Sequence, residues 1–188
     1  MMIGQNTGAQ SRTYKMIKEG TEGVEIGVWL GDTTVLFAER AKVHAVDPWS
    51  ADCYTDEQFD KIIGRYSKEY NIEPTREGFQ KFYDGVYENV CNRFEGKNVE
   101  VHRMTSKEWF EQNTKKDFDW VYVDGDHSFK ACLYDLNQAW DVVRSGGVLY
   151  GDDYPNKPGV VQAVDSFVYA KNLKLNRFAN NQWYIEKK

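Results

Sequence analysis

The sequence has few cysteines and prolines and no long apolar run. Its 188 residues include three cysteines and four prolines. Cys53, Cys91 and Cys132 are scattered, odd in number and not in CxxC spacing, which disfavours disulfides or a zinc site and favours reduced thiols. No apolar run approaches the roughly 20 residues that a membrane span needs, and the first residues lack the apolar segment of a signal peptide. We therefore expect a cytoplasmic protein that does not enter a membrane.

A surplus of positive charge is also missing. The chain carries 24 Lys and Arg against 29 Asp and Glu, a formal net charge of −5. Such a chain has no global electrostatic attraction to nucleic acid or to an anionic membrane, so we expect neither as a partner. Hydrophobic residues make up 41% and aromatics 15%, which is enough for a core. The length fits one domain over residues 1–188, and the oligomeric state stays open.

Short apolar strands alternate with amphipathic helices along the chain. The predicted strands lie near residues 23–26, 42–47, 98–104, 119–126 and 148–154, with helices between them near 11–18, 32–41, 106–113, 128–143 and 158–170. In the predicted boundaries, Asp32 or Thr33 and Ser106 cap their helices, and Ser145–Gly147 ends a helix through a left-handed glycine. This alternation predicts an α/β fold with a Rossmann-like, doubly wound, mostly parallel sheet.

Two segments depart from that alternation. Residues 50–95 are polar and rich in aromatics, with predicted helices at 56–70 and 76–94, and they exceed what a plain crossover needs, so we expect a helical insert. Near the end, two β-rich runs flank Asn180 and Asn181, which is typical of a hairpin. The hairpin would add an antiparallel strand to the sheet.

Polar residues collect where the predicted strands end. A glycine turn with Gly27 and Gly31 follows the first strand, Asp47 the second, Asp124 the fourth, and Asp152 and Asp153 the fifth. In an open α/β sheet, ligands bind outside the carboxyl ends of the strands. The sequence therefore places a binding cleft at this edge.

The glycine turn does not match the dinucleotide fingerprint G-x-G-x-x-G, because position 29 is Trp. It has the form E-x-G-x-x-x-G, beginning at Glu25, and Asp47 lies 16 residues beyond Gly31. An ordinary βα turn with a capping aspartate is the alternative. The combination with Asp47, at about the distance where an acid takes both ribose hydroxyls, favours a nucleotide site.

Five ordered blocks carry a family resemblance. "VEIGVWLGDTT", "HAVDPW", "VYVDGDHSFKACLYDL", "SGGVLYGDDY" and "PGVVQAVDSF" resemble class I S-adenosylmethionine-dependent methyltransferases. The similar branch is the compact group with a "DGDHSY"-like turn, related to metal-dependent sugar and catechol O-methyltransferases. The match runs from about residue 23 to 167, interrupted by the 50–95 segment.

The resemblance implies cofactor-binding roles for residues of the first half and of the turn after the fourth strand. Glu25, Gly27 and Gly31 would form the turn under the methionine part of S-adenosylmethionine, and Asp47 would hold the ribose hydroxyls. Pro48 and Trp49 would border the adenine. Thr105 and Ser106 stand where the family touches the adenine amine, often with an acidic residue. Asp126 is also placed among the cofactor-binding residues, although its position favours a role as the cap of the turn or of the following helix.

The resemblance also implies a divalent cation, because Asp124, Asp152 and Asp153 correspond to the family's metal-binding acids. Physical chemistry gives independent support, since three carboxylates at neighbouring strand ends repel unless protons or a cation offset them. An all-oxygen set suits Mg²⁺, which can lower the pKa of a bound hydroxyl. The alternative is that these acids only form turns and caps.

Asp124 and His127 are the predicted catalytic residues. Imidazole titrates near neutrality, so His127 could be the general base for a hydroxyl; alternatively its ring packs near the adenine or caps the turn. The post-strand sequence "VDGD" is not an amino-methyltransferase NPPY, which favours oxygen as acceptor, with a small molecule or sugar as first choice. Competing hypotheses are an NAD-dependent oxidoreductase, a non-catalytic nucleotide-binding module and a relative that serves in hydroxylation complexes.

Overall fold

The computed structural model describes residues 10–114, 117–178 and 181–188. Within them, the strands are β1 (Glu22–Ile26), β2 (Lys42–Asp47), β3 (Val99–Arg103), β4 (Phe118–Val123), β5 (Val143–Gly151), β6 (Asn176–Phe178) and β7 (Gln182–Glu186). The helices are α1 (Gln10–Met16), α2 (Asp32–Ala38), α3 (Asp56–Tyr70), α4 (Arg76–Phe94), α5 (Ser106–Gln112), α6 (Phe129–Val142) and α7 (Pro158–Lys171), with a 3₁₀ turn at Ala51–Cys53.

The strands form one sheet in the order β3-β2-β1-β4-β5-β7-β6. β3, β2, β1, β4 and β5 are parallel to their neighbours, whereas β7 is antiparallel to both β5 and β6. The predicted Rossmann-like, mostly parallel sheet with a C-terminal hairpin is confirmed. Asn180, half of the predicted hairpin signal, lies outside the described residues. No helix in the described ranges has the length and apolarity to cross a bilayer.

Separate apolar clusters cover the two faces of the sheet. On one face, Leu136 of α6 and Phe167 of α7 pack against β4 and β5 residues such as Val121. On the other, Phe37 of α2 packs against Tyr122, with ring centroids 5.3 Å apart. Successive strand residues point to opposite faces, and both faces are apolar here because both carry helices. The sheet is therefore doubly wound, and its cleft must open at the strand ends.

Both predicted helices of the 50–95 segment are confirmed at their predicted bounds. Thr55 and Thr75 cap them, each accepting a backbone N–H with its hydroxyl. α4 is not only part of an insert, because it also packs on the sheet: Val90 and Phe94 lie in one cluster with Ala45 of β2. It is therefore the crossover helix between β2 and β3. The 3₁₀ turn and α3 are the addition that precedes it.

The boundary between α6 and β5 was predicted wrongly. Ser145–Gly147 does not end a helix: α6 ends at Val142, and the chain enters β5 at Val143. The glycines lie within β5, where the pairing with β4 shifts register. A Cβ on Gly147 would lie 2.7 Å from the carbonyl oxygen of Asp119, so the close approach of two strands requires this glycine.

Two helix caps were also predicted wrongly. Thr105, not Ser106, caps α5, because its hydroxyl accepts from the Glu108 N–H at 3.2 Å and the Glu108 carboxylate returns to the Thr105 N–H. Gly31 holds the N-cap position of α2 in a left-handed conformation without a side-chain cap. Asp32 instead pairs with Arg93 of α4 at 2.7 Å.

Candidate active site

A cleft of about 860 Å³ opens beyond the carboxyl ends of β1, β2 and β4. Its lining includes most of the predicted site residues, among them Glu25, Gly27, Asp47, Ser106, Asp124 and His127. On the two sides of β1, the connections between strands run over opposite faces of the sheet. The loops after the strands therefore diverge there, and the gap between them forms the crevice.

The first wall of the cleft is the glycine turn after β1. Gly27 has φ of 87°, and a Cβ there would lie 2.1 Å from the carbonyl oxygen of Asp124. Only glycine permits both the conformation and this approach of the β1 and β4 ends. The next residues, Val28 and Trp29, direct their N–H groups to the Asp47 carboxylate, each at 3.0 Å.

Asp47 at the end of β2 organises this wall. Besides those two N–H groups, its other carboxylate oxygen accepts from the Trp49 N–H at 2.8 Å. Burial raises the pKa of Asp47, while these backbone donors act in the opposite direction. A carboxylate has about four acceptor positions, and these backbone N–H groups use three of them.

Glu25 is a fully buried carboxyl group at the base of the same wall. It is 1% exposed, and it accepts a hydrogen bond of 2.5 Å from the Thr34 hydroxyl. Burial raises its pKa well above the ordinary value, and the nearby Asp124 and Asp47 raise it further. A carboxylate held this way gains most from a cationic ligand.

The acidic wall lies at the turn after β4, and His127 links it to the turn after β5. Asp124 and His127 line the cleft, whereas Asp152 and Asp153 are not in the lining of the described residues. The His127 Nε2 lies 2.6 Å from Asp153 Oδ2 and 3.8 Å from Asp124 Oδ1. Hydrogen bonds to both carboxylates raise the pKa of His127 to about 9, and the imidazolium lowers the pKa of Asp153. Desolvation raises the pKa of Asp124 to about 6 despite that imidazole. We define Asp124, His127 and Asp153 as the cleft cluster.

Asp152 and Asp126 are held in other contacts. The Asp152 carboxylate accepts from the Tyr122 hydroxyl at 3.0 Å and from the Asp153 N–H at 2.7 Å. Asp153 itself has φ of 63°, a costly conformation for a residue with a side chain. Asp126 Oδ1 accepts from the Ser128 N–H at 2.6 Å, bracing the turn before Ser128 caps α6.

Some of the remaining residues that were predicted to bind the cofactor line the cleft, and others do not. Pro48, Thr105 and Ser106 line the cleft, as does Asp126. Trp49 and Gly31 are not in the cleft lining of the described residues. Trp49 is 1% exposed because its indole N–H donates to the Trp29 carbonyl at 2.9 Å within the insert's core.

One cleft residue, Asp135 of α6, was missed by the sequence interpretation. It lines the cleft, is 3% exposed, and its Oδ1 has no hydrogen-bond partner in the described structure. Burial raises its pKa to about 7. A sequence signal did exist, because Asp135 lies between Cys132, Leu136 and Ala139 on the apolar stripe of α6.

The insert forms the rim above the glycine turn. Tyr54, Lys61 and Tyr66 line the cleft. The Trp29 ring contacts Tyr66 and Tyr83 with centroids 6.0 and 5.8 Å apart, so the insert is packed onto the turn. Four of its nine aromatics are buried and the other five are partly buried against the same cluster, which agrees with the packing role expected from their helical spacing.

A family model described as "Methyltransferase domain" matches residues 24–154, which run from within β1 to the turn after β5 and include the residues that line the cleft. The chain belongs to this family. Class I methyltransferases use S-adenosylmethionine, and this methyltransferase has the corresponding sheet and strand-end cleft. A search of curated proteins gives no match to the chain.

Several solved structures share the fold of this methyltransferase. The O-methyltransferase NovP is 16% identical and covers 96% of this chain and 79% of its own, with a TM-score of 0.62. A Bacillus cereus O-methyltransferase in complex with SAH is 13% identical over 97% and 83%, with a TM-score of 0.55. A Streptococcus thermophilus rRNA methylase is 12% identical over 100% and 98%, with a TM-score of 0.58. At these identities the likeness concerns the fold alone.

Proposed function

We propose that this methyltransferase transfers the methyl group of S-adenosylmethionine to a hydroxyl of a small molecule or sugar, with assistance from Mg²⁺ or a similar cation. The observation that carries the proposal is the cleft cluster, in which two carboxylates meet at one imidazole beside the glycine turn. The "VDGD" sequence after β4 supports oxygen as acceptor, whereas the fold likeness to O-methyltransferases and to an rRNA methylase does not select a substrate.

The glycine-turn wall would bind the cofactor. Glu25 is buried without a cationic partner in the described residues, and the α-ammonium of the methionine moiety would supply one. The remaining acceptor position of Asp47 suits a ribose hydroxyl. Pro48, Thr105 and Ser106 would border the adenine, where the family often has an acid. Asp135 supplies an unpartnered carboxylate oxygen beside Ser106, suited to accept from the adenine amine.

The acidic wall has the donors for a divalent cation. One ligand atom each of Asp124, His127 and Asp153 lies within 4.8 Å of the others. Asp124 and Asp153 would hold the ion, which would supply a Lewis acid that lowers the pKa of a bound hydroxyl. Asp152 would contribute only after leaving its contact with Tyr122, so its predicted role as a ligand is the weakest of the three.

The residues of the cleft would orient the acceptor and take part in removing the proton of its hydroxyl. S-adenosylmethionine supplies an electrophilic methyl group, and in-line attack depends above all on orientation. Between its two carboxylates, His127 is protonated at neutral pH, because its pKa is about 9. It can act as general base only after losing that proton, and until then it offers an N–H donor to an acceptor oxygen.

The rim favours a small acceptor. Tyr54 and Tyr66 provide aromatic surface, and the acidic wall faces them across an open cleft. Aromatic faces opposite polar acceptors suit a polyhydroxyl ring compound. Because the chain has a net charge of −5, we expect no nucleic-acid substrate.

The test is production of S-adenosylhomocysteine with a panel of sugars, catechols and other hydroxyl compounds, with Mg²⁺ and with excess EDTA. We expect turnover with at least one hydroxyl acceptor, lost in EDTA and restored by Mg²⁺. Asp152→Asn combined with Asp153→Asn should abolish the Mg²⁺-dependent activity while cofactor affinity stays within about threefold. Full activity in EDTA would exclude the metal role.

The family match removes support for an NAD-dependent oxidoreductase. A non-catalytic nucleotide-binding module would give a different result in the same assays, because it would bind S-adenosylmethionine in isothermal titration and yield no turnover with any acceptor class. Turnover with an amine acceptor but none with hydroxyls would contradict O-methylation and retain the family.

A further inference from the structure

A second group of histidines and carboxylates lies away from the cleft, on the β2 and β3 strands. His44 pairs in register with Glu100, and His102 follows Glu100 by two residues. Residues two apart on a strand share a face, so all three side chains lie on the same side of the sheet. None of them lines the cleft. We define His44, Glu100 and His102 as the sheet-edge cluster, because β3 ends the sheet.

The spacing of its donor atoms fits a tetrahedral ion. His44 Nδ1 lies 3.1 Å from His102 Nε2 and 3.5 Å from Glu100 Oε2, and His102 Nε2 lies 3.6 Å from Glu100 Oε1. Zinc with bonds of about 2.0–2.1 Å to nitrogen and oxygen separates its tetrahedral ligands by about 3.3 Å. Small side-chain adjustments would therefore bring the three atoms around one Zn²⁺, with water as a fourth ligand.

His44 is oriented for this role by a fourth residue. Its Nε2 lies 2.7 Å from Glu22 Oε1, and the ring is 1% exposed. A carboxylate only accepts, so Nε2 carries the proton, and in the neutral ring Nδ1 presents its lone pair to the other ligand atoms. Metal-binding histidines regularly donate their second N–H to a carboxylate in this way.

The surroundings hold the rings in place. Trp109 and Phe118 pack around His44 with centroids 6.2 and 5.3 Å away, and His102 stacks on His44 at 5.3 Å. Lys42 is the competing cation: its Nζ lies 3.0 Å from Glu22 and 3.6 Å from Glu100. Its side chain is 40% exposed, so it can turn into water when Glu100 binds an ion.

We propose that the sheet-edge cluster binds a borderline transition-metal ion, Zn²⁺ first, through His44, His102 and Glu100. Two imidazoles and one carboxylate suit Zn²⁺ better than Mg²⁺, which prefers oxygen ligands. The site would join edge strand β3 to β2 and stabilise the fold, and it does not depend on the proposed methyl acceptor.

The experiment is Zn²⁺ titration of the metal-stripped full chain, by competition with a chromophoric chelator, together with thermal unfolding. His102→Gln is the main variant, because His102 is partly exposed whereas His44 is buried. Glu100→Gln is the second variant. The matched control is His127→Gln combined with Asp153→Asn, which changes two of the three donors of the cleft cluster.

We expect the wild type and the control to bind one tight equivalent of Zn²⁺ and to melt at a higher temperature with it. His102→Gln should weaken that equivalent by more than about 100-fold, since loss of a ligand exceeds the roughly 10–100-fold effect of losing an outer partner. It should also lose the thermal shift, and Glu100→Gln should show a smaller loss of both. Unchanged affinity in both variants, or loss of the tight equivalent in the control alone, would overturn the site. Circular dichroism of the metal-free variants checks that they are folded.

Discussion

The molecule has two clusters of histidine and carboxylate, and they differ in what surrounds them. The cleft cluster lies on loops beyond β4 and β5, with His127 43% exposed at its centre. The sheet-edge cluster lies on paired strands, with His44 buried under Trp109 and Phe118. Loops at a strand end can change their contacts when a ligand binds, whereas paired strands cannot.

This difference suits the cleft cluster to catalysis and the sheet-edge cluster to stabilising the fold. Asp153 of the cleft cluster holds a left-handed conformation, and Asp124 has a raised pKa; both are typical of sites that a ligand completes. In the sheet-edge cluster, the strand register sets the positions of the donors, Glu22 orients His44, and Lys42 balances the carboxylates while no ion is bound. Variants that disturb one cluster should therefore leave the other intact.

The largest expected effect comes from Gly27→Ala. A Cβ there meets the Asp124 carbonyl, and the positive φ disfavours alanine, so the ends of β1 and β4 must separate. We expect the affinity for S-adenosylhomocysteine to fall by more than about 1,000-fold, or about 4 kcal/mol, in isothermal titration. Zn²⁺ binding at the sheet-edge cluster should persist.

Gly64→Ala on α3 is the matched control, because a Cβ at Gly64 meets nothing within 4 Å. Its cofactor affinity should equal that of the wild type. Normal binding by Gly27→Ala would show that the glycine turn does not form the cofactor wall.

Asp135→Asn addresses a cleft carboxylate that has no cationic partner in the described residues. The folded-state pKa of about 7 exceeds the unfolded value, so this carboxyl costs stability increasingly as pH rises from about 4 to about 7, and fully above that. At pH 8 the variant should be more stable to urea by up to about 4 kcal/mol, since each pKa unit is worth about 1.4 kcal/mol. The gain should vanish below about pH 4.

Asp141→Asn, on the exposed side of the same helix, should change stability little at either pH. The same Asp135→Asn protein should bind S-adenosylhomocysteine more weakly, about tenfold, if the carboxylate accepts from the adenine amine. A variant that is less stable at pH 8 would contradict the burial argument.

Asp153→Asn breaks the cleft cluster at its shortest contact. Loss of one carboxylate from the cation site should lower kcat in the methyl-transfer assay by about 100-fold, while cofactor affinity changes less than about threefold. Asp60→Asn on the exposed face of α3 serves as control and should retain full activity. Equal activity of the two variants would remove Asp153 from the site.

The smallest expected effect is a change in how methyl-transfer activity depends on pH. Because the two carboxylates raise the pKa of His127 to about 9 while no cation is bound, a base role predicts that the Mg²⁺-supported activity rises with pH up to at most that value. In His127→Gln, this rise of activity with pH, the alkaline limb of the profile, should disappear. A profile that keeps the same limb in His127→Gln would assign the titration to another group.

Local patterns were sufficient for most of the fold and for the acids at the strand ends. The polar, aromatic-rich pattern of residues 50–95 predicted α3 and α4, and βα alternation predicted the parallel sheet, because these signals act within a few residues. The helix end at Ser145–Gly147 was wrong because glycine signals a left-handed turn and a close strand contact alike.

Long-range packing explains what the sequence did not reveal. His44 and His102 are 58 residues apart, and only the β2–β3 register brings their nitrogens together. Trp49 looked like a cleft residue because it follows Asp47, but its indole turns to the Trp29 carbonyl inside the insert's core. The metal ligands predicted at Asp124, Asp152 and Asp153 stay a prediction, and the structure adds His127 to their surroundings.

The most direct test of the account is anomalous diffraction from a crystal grown with S-adenosylhomocysteine and Mn²⁺ in place of Mg²⁺. We predict a manganese peak between Asp124 and Asp153, facing the sulfur of a cofactor that lies on the Gly27 turn. No manganese peak at those carboxylates, with the cofactor bound and the cleft intact, would contradict the proposed metal-assisted transfer to a hydroxyl.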